Sequence, residues 1–254
     1  MRSRHTIFVI AAAVLSATSL GAQRAPLPGP THLASDVLAL ACAPSMAFER
    51  PPTPLRITGG QDSFVRRTYS SGDLITINAG SDNGIDVGQE YYVRRVQAAE
   101  RRPVTRDNPA TIRTTGWIRI YAVDKEMSLA TVEHACDVID VDDFLESFVL
   151  PQVPTPADTL GVKAQRSNYG RIVLGTDRRR TFGKGDFFIA DRGSDHGVTI
   201  GARFVVYRDK RQAENFLFEI GEAVAVDVRP ETSTLQVLVS RDALLAGDYV
   251  AIRK

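Results

Sequence analysis

The chain has little with which to do chemistry. Among its 254 residues are two cysteines, four histidines and one tryptophan, and no two histidines share a local ligand spacing. No nucleophile elbow, phosphate-binding loop or zinc pattern occurs, and the acidic loops lack the frame and the terminal Glu of an EF-hand. Net charge is also lacking, because 31 Lys and Arg face 30 Asp and Glu. That balance leaves no global field to draw in nucleic acid. Beyond Leu20 no stretch reaches the roughly 20 apolar residues that span a bilayer, so no transmembrane helix is expected.

What is present begins with an address. Met1-Arg2-Ser3-Arg4-His5 precedes an apolar run from Thr6 to Leu20 and then Ser-Leu-Gly-Ala-Gln, the three regions of a secretory signal. Cleavage is expected after Ala22, leaving 29 basic against 30 acidic residues and a net charge of about −1 in a protein bound for the periplasm or outer envelope. Export itself argues against a nucleic-acid partner. Cys42 and Cys136 both survive the cut, and an even pair in an oxidising compartment is expected to form a disulfide. Alternatively Cys42 is a lipid-attachment site, since "LALAC" (38–42) loosely follows a lipobox. Ala39 where Leu is usual, and Asp36 within the apolar run, weigh against that.

Sliding the chain against itself reveals a duplication. "RRTYSSGDLITINAGSDNGIDVGQEYYVRR" (66–95) matches "RRTFGKGDFFIADRGSDHGVTIGARFVVYR" (179–208) at a constant offset of 113. "GWIRIYAVDKEMSLATVEHACDVIDVDDFL" (116–145) then matches "GEAVAVDVRPETSTLQVLVSRDALLAGDYV" (221–250) at an offset of 105. The change of eight lies in a longer loop of the first copy, residues 96–115 against 209–220. "RITGGQD" (56–62) mirrors "RIVLGTD" (171–177) after a two-residue slip. The expected layout is a signal peptide (1–22), a Pro-rich leader with a short helix (23–54), β-module 1 (55–148), a linker (149–169) and β-module 2 (170–254). Leu33, Val37, Leu40 and Ala41 share a face after a Thr cap, which predicts a helix over 31–42. If Cys42 bridges Cys136, that helix packs on the first module.

Short β-branched or aromatic runs alternate with Gly, Asp, Asn and Ser in each copy: "DLITINA", "QEYYVRR", "WIRIYAV" and "LATVEHA", then "DFFIAD", "RFVVYR", "AVAVDV" and "TLQVLVS". They predict an all-β chain of two small barrel- or sandwich-like modules. In "WIRIYAV", Ile118, Ile120 and Ala122 are expected on one face, and Trp117, Arg119 and Tyr121 on the other. The repeated phrases "GSDNGIDVG" (80–88) and "GSDHGVTIG" (193–201) read as hairpin or bulged connections. Gly72-Asp73, Gly80, Gly84, Gly88, Gly185-Asp186, Gly193, Gly197, Gly201 and Gly247-Asp248 are the expected structural turn residues, their carboxylates accepting from loop amides.

Chemical readings of these residues fare poorly. Asp82, Asn83 and Asp86 could offer oxygen to calcium, but Thr199 replaces Asp86 in the second copy. His196 beside Asp195 is matched by Asn83, a residue that shares its tolerance of left-handed backbone but moves no proton. His134 is matched by Val239, and His32 lies in the leader. No catalytic residue, metal or cofactor is therefore assigned. The arginine clusters Arg66-Arg67, Arg94-Arg95, Arg101-Arg102 and Arg178-Arg179-Arg180 read first as solvated faces. Tyr91, Tyr92 and Trp117, with Arg66, Arg67, Arg179 and Arg180, make the candidate surface for a ligand or partner.

The second copy carries Gly185-Asp186, Gly193, Gly197, Gly201, Phe204, Val206, Arg208, Gly221, Val226, Val237 and Gly247-Asp248-Val250. On these residues the chain resembles the β-rich C-terminal domain of flagellar assembly protein T and the paired β-repeats that follow LysM domains in bacterial envelope proteins. The first copy departs at its end, where Val141-Asp142-Asp143-Phe144-Leu145 replaces the closing Gly. No LysM motif is found. The resemblance implies a bacterial envelope component and assigns no activity. The expectation is a non-enzymatic adaptor or assembly protein that recruits an envelope partner at exposed sheet edges, as a monomer or an oligomer. The alternative is a module for cell-wall glycan or another envelope polymer.

Overall fold

The computed structural model describes residues 33–62, 66–97, 105, 108–155, 169–175, 178–210 and 216–253. The signal peptide with its cleavage site, the Pro-rich stretch 24–30, Thr31, His32, Arg101-Arg102 and most of the linker fall outside them. The one α-helix among the described residues is α1 (Ser35–Ala41), shorter than the pattern suggested and capped by Ala34 rather than a Thr. It leads into β1 (Ser45–Ala47). No described helix is long and apolar enough to cross a membrane.

The rest is β. The first module runs β2 (Ile57–Gly60), β3 (Thr68–Tyr69), β4 (Leu74–Ile77), β5 (Glu90–Gln97), β6 (Ala110–Val123), β7 (Ser128–Ala135), β8 (Ile139–Asp140) and β9 (Phe144–Ser147). The second repeats it as β10 (Gly170–Gly175), β11 (Thr181–Phe182), β12 (Phe187–Ala190), β13 (Arg203–Asp209), β14 (Leu217–Val228), β15 (Ser233–Ser240), β16 (Leu244–Leu245) and β17 (Tyr249–Ile252). Strand order is β2-β4-β7-β6-β5-β9 in one and β10-β12-β15-β14-β13-β17 in the other, and the second is a closed barrel. Main-chain bonds from Ile57 N to Asp143 O, from Asp142 N to Ile57 O and from Leu145 N to Leu55 O bring β2 and β9 together, closing the first likewise. Closure of this kind pairs the edge strands of the two main sheets, while β1 and the two-stranded ribbons β3–β8 and β11–β16 lie outside it.

Register is copied along with sequence. Leu74 pairs with Thr131 and Phe187 with Gln236, while the bulge at Val93/Arg94 recurs at Val206/Tyr207. Core positions coincide while volumes are traded. The cross-strand pair Ile120/Ala130 becomes Ala225/Leu235, so the large partner changes strand. Ile75 becomes Phe188 as Ile118 shrinks to Ala223. Compensated volume of this kind keeps a core filled without keeping its residues.

The repeated phrase is not a hairpin. β4 and β5 are not neighbours, so residues 78–89 carry the chain across the barrel end past β7 and β6. Ser81–Asn83 forms a 3-10 turn closed by Gly84 at φ 76°, and Ser194–His196 repeats it with Gly197 at φ 78°. The amide of Ser81 donates to Asp124 O, at the tip of the β6–β7 hairpin, and that of Ser194 donates to Arg229 O. A Cβ at Gly80 or Gly193 would run into those same carbonyl oxygens. Sequence spacing located the turn, but pairing between distant strands decides what it connects.

Candidate functional site

The leader joins the two barrels. The longer β5–β6 hairpin of the first copy extends β6 at its start, and there β1 adds a short antiparallel ladder, with Ser45 opposite Ile112 and Ala47 opposite Ala110. Thr114 Oγ1 donates to Ala43 O at 2.9 Å. From the second barrel, Thr234 Oγ1 donates to Pro44 O at 2.7 Å and Thr232 Oγ1 to Met46 O at 3.4 Å. Met46 is fully buried. The Cys42–Cys136 disulfide, with Cα atoms 5.6 Å apart, fastens α1 to the first barrel, and this fixes Cys42 as a bridged cysteine here.

Where leader, linker and barrels meet lies a cleft of about 580 Å³, lined by Leu40, Ala43, Tyr92, Val149, Ile200 and Val226 among others. Its volume falls within the range of small-molecule pockets, roughly 300–1,000 Å³. Its walls are mainly apolar, and the rim exposes Val149, Leu150 and Ile200. Its polar part is ionic. Glu146 Oε2 lies 3.3 Å from Arg94 Nε of the first barrel and 3.5 Å from Arg229 Nη2 of the second, so one carboxylate is shared across the seam. Asp227 Oδ2 stands 3.5 Å from Arg229 Nε. Arg94 also donates through Nη1 to Thr114 Oγ1 at 2.6 Å, while its guanidinium lies 4.4 Å from the centre of the Tyr92 ring.

Burial lowers the Arg94 pKa, partly offset by Glu146. The buried Nε atoms of Arg94 and Arg229 are not aligned for a hydrogen bond, although carboxylates stand at ion-pair distance. Two cations and two anions leave the cleft without net charge. It suits an apolar segment bearing a few polar groups better than a polyanion.

The sequence-predicted residues divide. Tyr92 and Trp117 are cross-strand partners on the outer face of the first barrel, and Phe148 packs on both, at 4.6 and 5.4 Å between ring centres. Trp117 is buried there and Tyr92 half-buried, its hydroxyl donating to Val149 O at 2.9 Å and its pKa raised by burial. Tyr91 points the other way, into the barrel core. Arg66 and Arg179 are exposed and pair with Asp73 and Asp186, carboxylates that accept from the amides of Ser70 and Gly183. Arg67 and Arg180 are exposed, and none of these four arginines lines the cleft. Asn83 Oδ1 accepts from Gly80 N, and Asp86 engages Gln89, so both side chains serve the turn.

The solvated-face reading fails at Arg94, which is buried, and at Arg95. Arg95 grips the buried Asp143 through Nε (2.6 Å) and Nη2 (2.8 Å), and Arg208 grips Asp248 at 2.9 and 2.7 Å. Both guanidiniums are raised in pKa by these bonds first. Each arginine also reaches a backbone carbonyl, Val138 O or Ala243 O. The Arg95/Arg208 match was visible in the repeat. The cleft residues Arg94, Glu146, Asp227 and Arg229 carried no signal as a group, because three separate segments, β5, β9 and the end of β14, assemble them.

The sequence matches no protein-family model and no curated protein. Fold, register and the seam are therefore what bears on function. Among the described residues, His, Cys, Asp and Glu side chains gather closely enough to share an ion at one place, Cys42, His134 and Cys136. Burial lowers the His134 pKa, and its ring lies 4.9 Å from that of Trp117.

Proposed function

We propose that the chain is an exported envelope protein without catalytic activity, an adaptor or assembly component that offers the seam between its barrels to a protein partner. One observation carries the reading: an exposed aliphatic is kept at the same point of both crossover loops, Val87 at 66% and Ile200 at 64% exposure. Its neighbours in the phrase, Ile85 and Val198, are buried in the cores, so the fold accounts for them. It does not account for Val87 or Ile200. Ile200 joins Val149 and Leu150 in an apolar rim of the kind that marks contact sites. With the edges of the main sheets paired, side chains and the cleft are favoured for such a contact. Crosslinking in cells followed by identification of neighbours is expected to return a defined envelope protein. A pull-down that returns none, from a strictly monomeric protein, would overturn the reading.

A second reading, binding of cell-wall glycan or another envelope polymer, draws on Tyr92 and Arg94, which line the same cleft. Sedimentation with purified sacculi separates the two. Retention at low salt that is lost in Arg94→Met would favour the polymer, and absence of retention would remove it.

A further inference from the structure

We propose that Cys42, His134 and Cys136 are a redox-dependent metal site: once the disulfide is reduced, two thiolates and an imidazole bind a thiophilic d10 cation of the zinc class. One sulfur from each cysteine and one ring nitrogen already lie within 4.8 Å of one another. Zinc holds sulfur at about 2.3 Å and nitrogen at about 2.0 Å, so tetrahedral neighbours sit roughly 3.5–3.8 Å apart. Small side-chain shifts suffice. All three residues are half-buried, within reach of solvent.

The backbone that carries the ligands does not depend on the S–S bond. His134 is paired to Trp117 in the β6–β7 ladder, and the Cys136 amide donates to Thr115 O at 2.9 Å. Cys42 closes α1 through its amide to Leu38 O, and beyond it β1 is held by β6 and by the threonines of the second barrel. Opening the disulfide therefore leaves the three side chains facing one another. Nor does the barrel require them. The second copy places Val239 and Arg241 at the positions of His134 and Cys136 and closes all the same.

A dithiol donates two electrons and two protons to the disulfide and is itself oxidised to a disulfide, giving two cysteine thiols. Cation binding then displaces both thiol protons, with water in the fourth position. The metal would take over the fastening of the leader from the covalent bond, so the strap holds under either redox condition.

The test uses the mature full chain. It is reduced with a phosphine under anaerobic conditions, freed of reductant, and offered Zn2+ in native mass spectrometry and Co2+ as an absorbing probe. The reduced chain is expected to bind one Zn2+ and to show thiolate-to-cobalt charge transfer, and the oxidised chain at the same concentration to bind none. His134→Gln, which keeps the disulfide, should weaken Zn2+ binding by about tenfold or more. A reduced chain that takes up no metal, whether or not the leader stays docked, would overturn the proposal. So would His134→Gln binding as tightly as the parent.

Discussion

Asp143 and Asp248 show how a single side chain organises a barrel end. Each carboxylate holds an arginine by two bonds and accepts an amide three residues back, from Asp140 or Leu245, at 3.0 and 2.7 Å. Such bidentate charge-assisted pairs fix geometry as well as adding energy. Removing the Asp248 carboxylate leaves the partly buried Arg208 guanidinium only the exposed Asp242 at 3.1 Å, so Asp248→Ala should cost about 2–3 kcal/mol in urea unfolding. Arg208→Met with Asp248→Ala should recover part of that loss, because the partly buried guanidinium goes with its carboxylate and only the exposed Asp242 loses a partner. The residue just before each carboxylate explains the first copy's departure from the pattern: Asp142 adopts φ 74° where Gly247 adopts 98°, so the turn survives without its glycine. Asp is among the few residues that accept this geometry. The glycines of the repeated phrase divide by cause. Gly80→Ala should cost about 2–3 kcal/mol through overlap with Asp124 O, as overpacking does. Gly84→Ala, with open space around it at φ 76°, should cost only about 1–2 kcal/mol. Thermal unfolding of the two variants checks the order, and equal costs would contradict it.

The strands were legible wherever alternation ran for several residues. Ile118 and Ile120 face the core as "WIRIYAV" implied, and Trp117 faces away from it. The pattern could not say that Trp117 is covered all the same, because Phe148 reaches it from beyond β9. Two-residue elements such as β3 and β8 are too short for any period to register. The crossover was read as a hairpin because turn residues look alike in both, and only the non-local pairing of β4 with β2 and β7 tells them apart. The leader helix was legible, but its partner strand β1 was not, since three residues carry no signal of their own. What fastens that leader gives the next expectation. The disulfide closes a loop of 94 residues, for which chain-entropy accounting and measured cases put removal at roughly 2–5 kcal/mol. Cys42→Ser with Cys136→Ser should therefore lower the urea midpoint of the first barrel, with β1 still paired in the absence of denaturant. Unchanged stability would show that β1 alone secures the leader.

The molecule as a whole is a duplication that kept its fold and spent its differences at the seam. Both barrels preserve register, bulges, the glycines of the repeated phrase and the Arg–Asp clamp. The features that join them occur once: the β1 ladder on the start of β6, the leader, the disulfide and Glu146 between Arg94 and Arg229. This is why two modules were legible in the sequence while the cleft was not. A self-comparison finds what is repeated, Ile200 of the rim included, while the ionic part of the cleft, Arg94, Glu146, Asp227 and Arg229, is built from what is unique. The adaptor reading rests on that cleft and its aliphatic rim. The measurement that tests it most directly is photocrosslinking in cells, with the probe residue placed in turn at Leu150 and Ile200 on the rim and at Leu245, an exposed position on the second barrel outside the cleft lining. One discrete protein adduct is expected from both rim positions and none from Leu245. Adducts of equal yield from all three, or none from the rim, would contradict it.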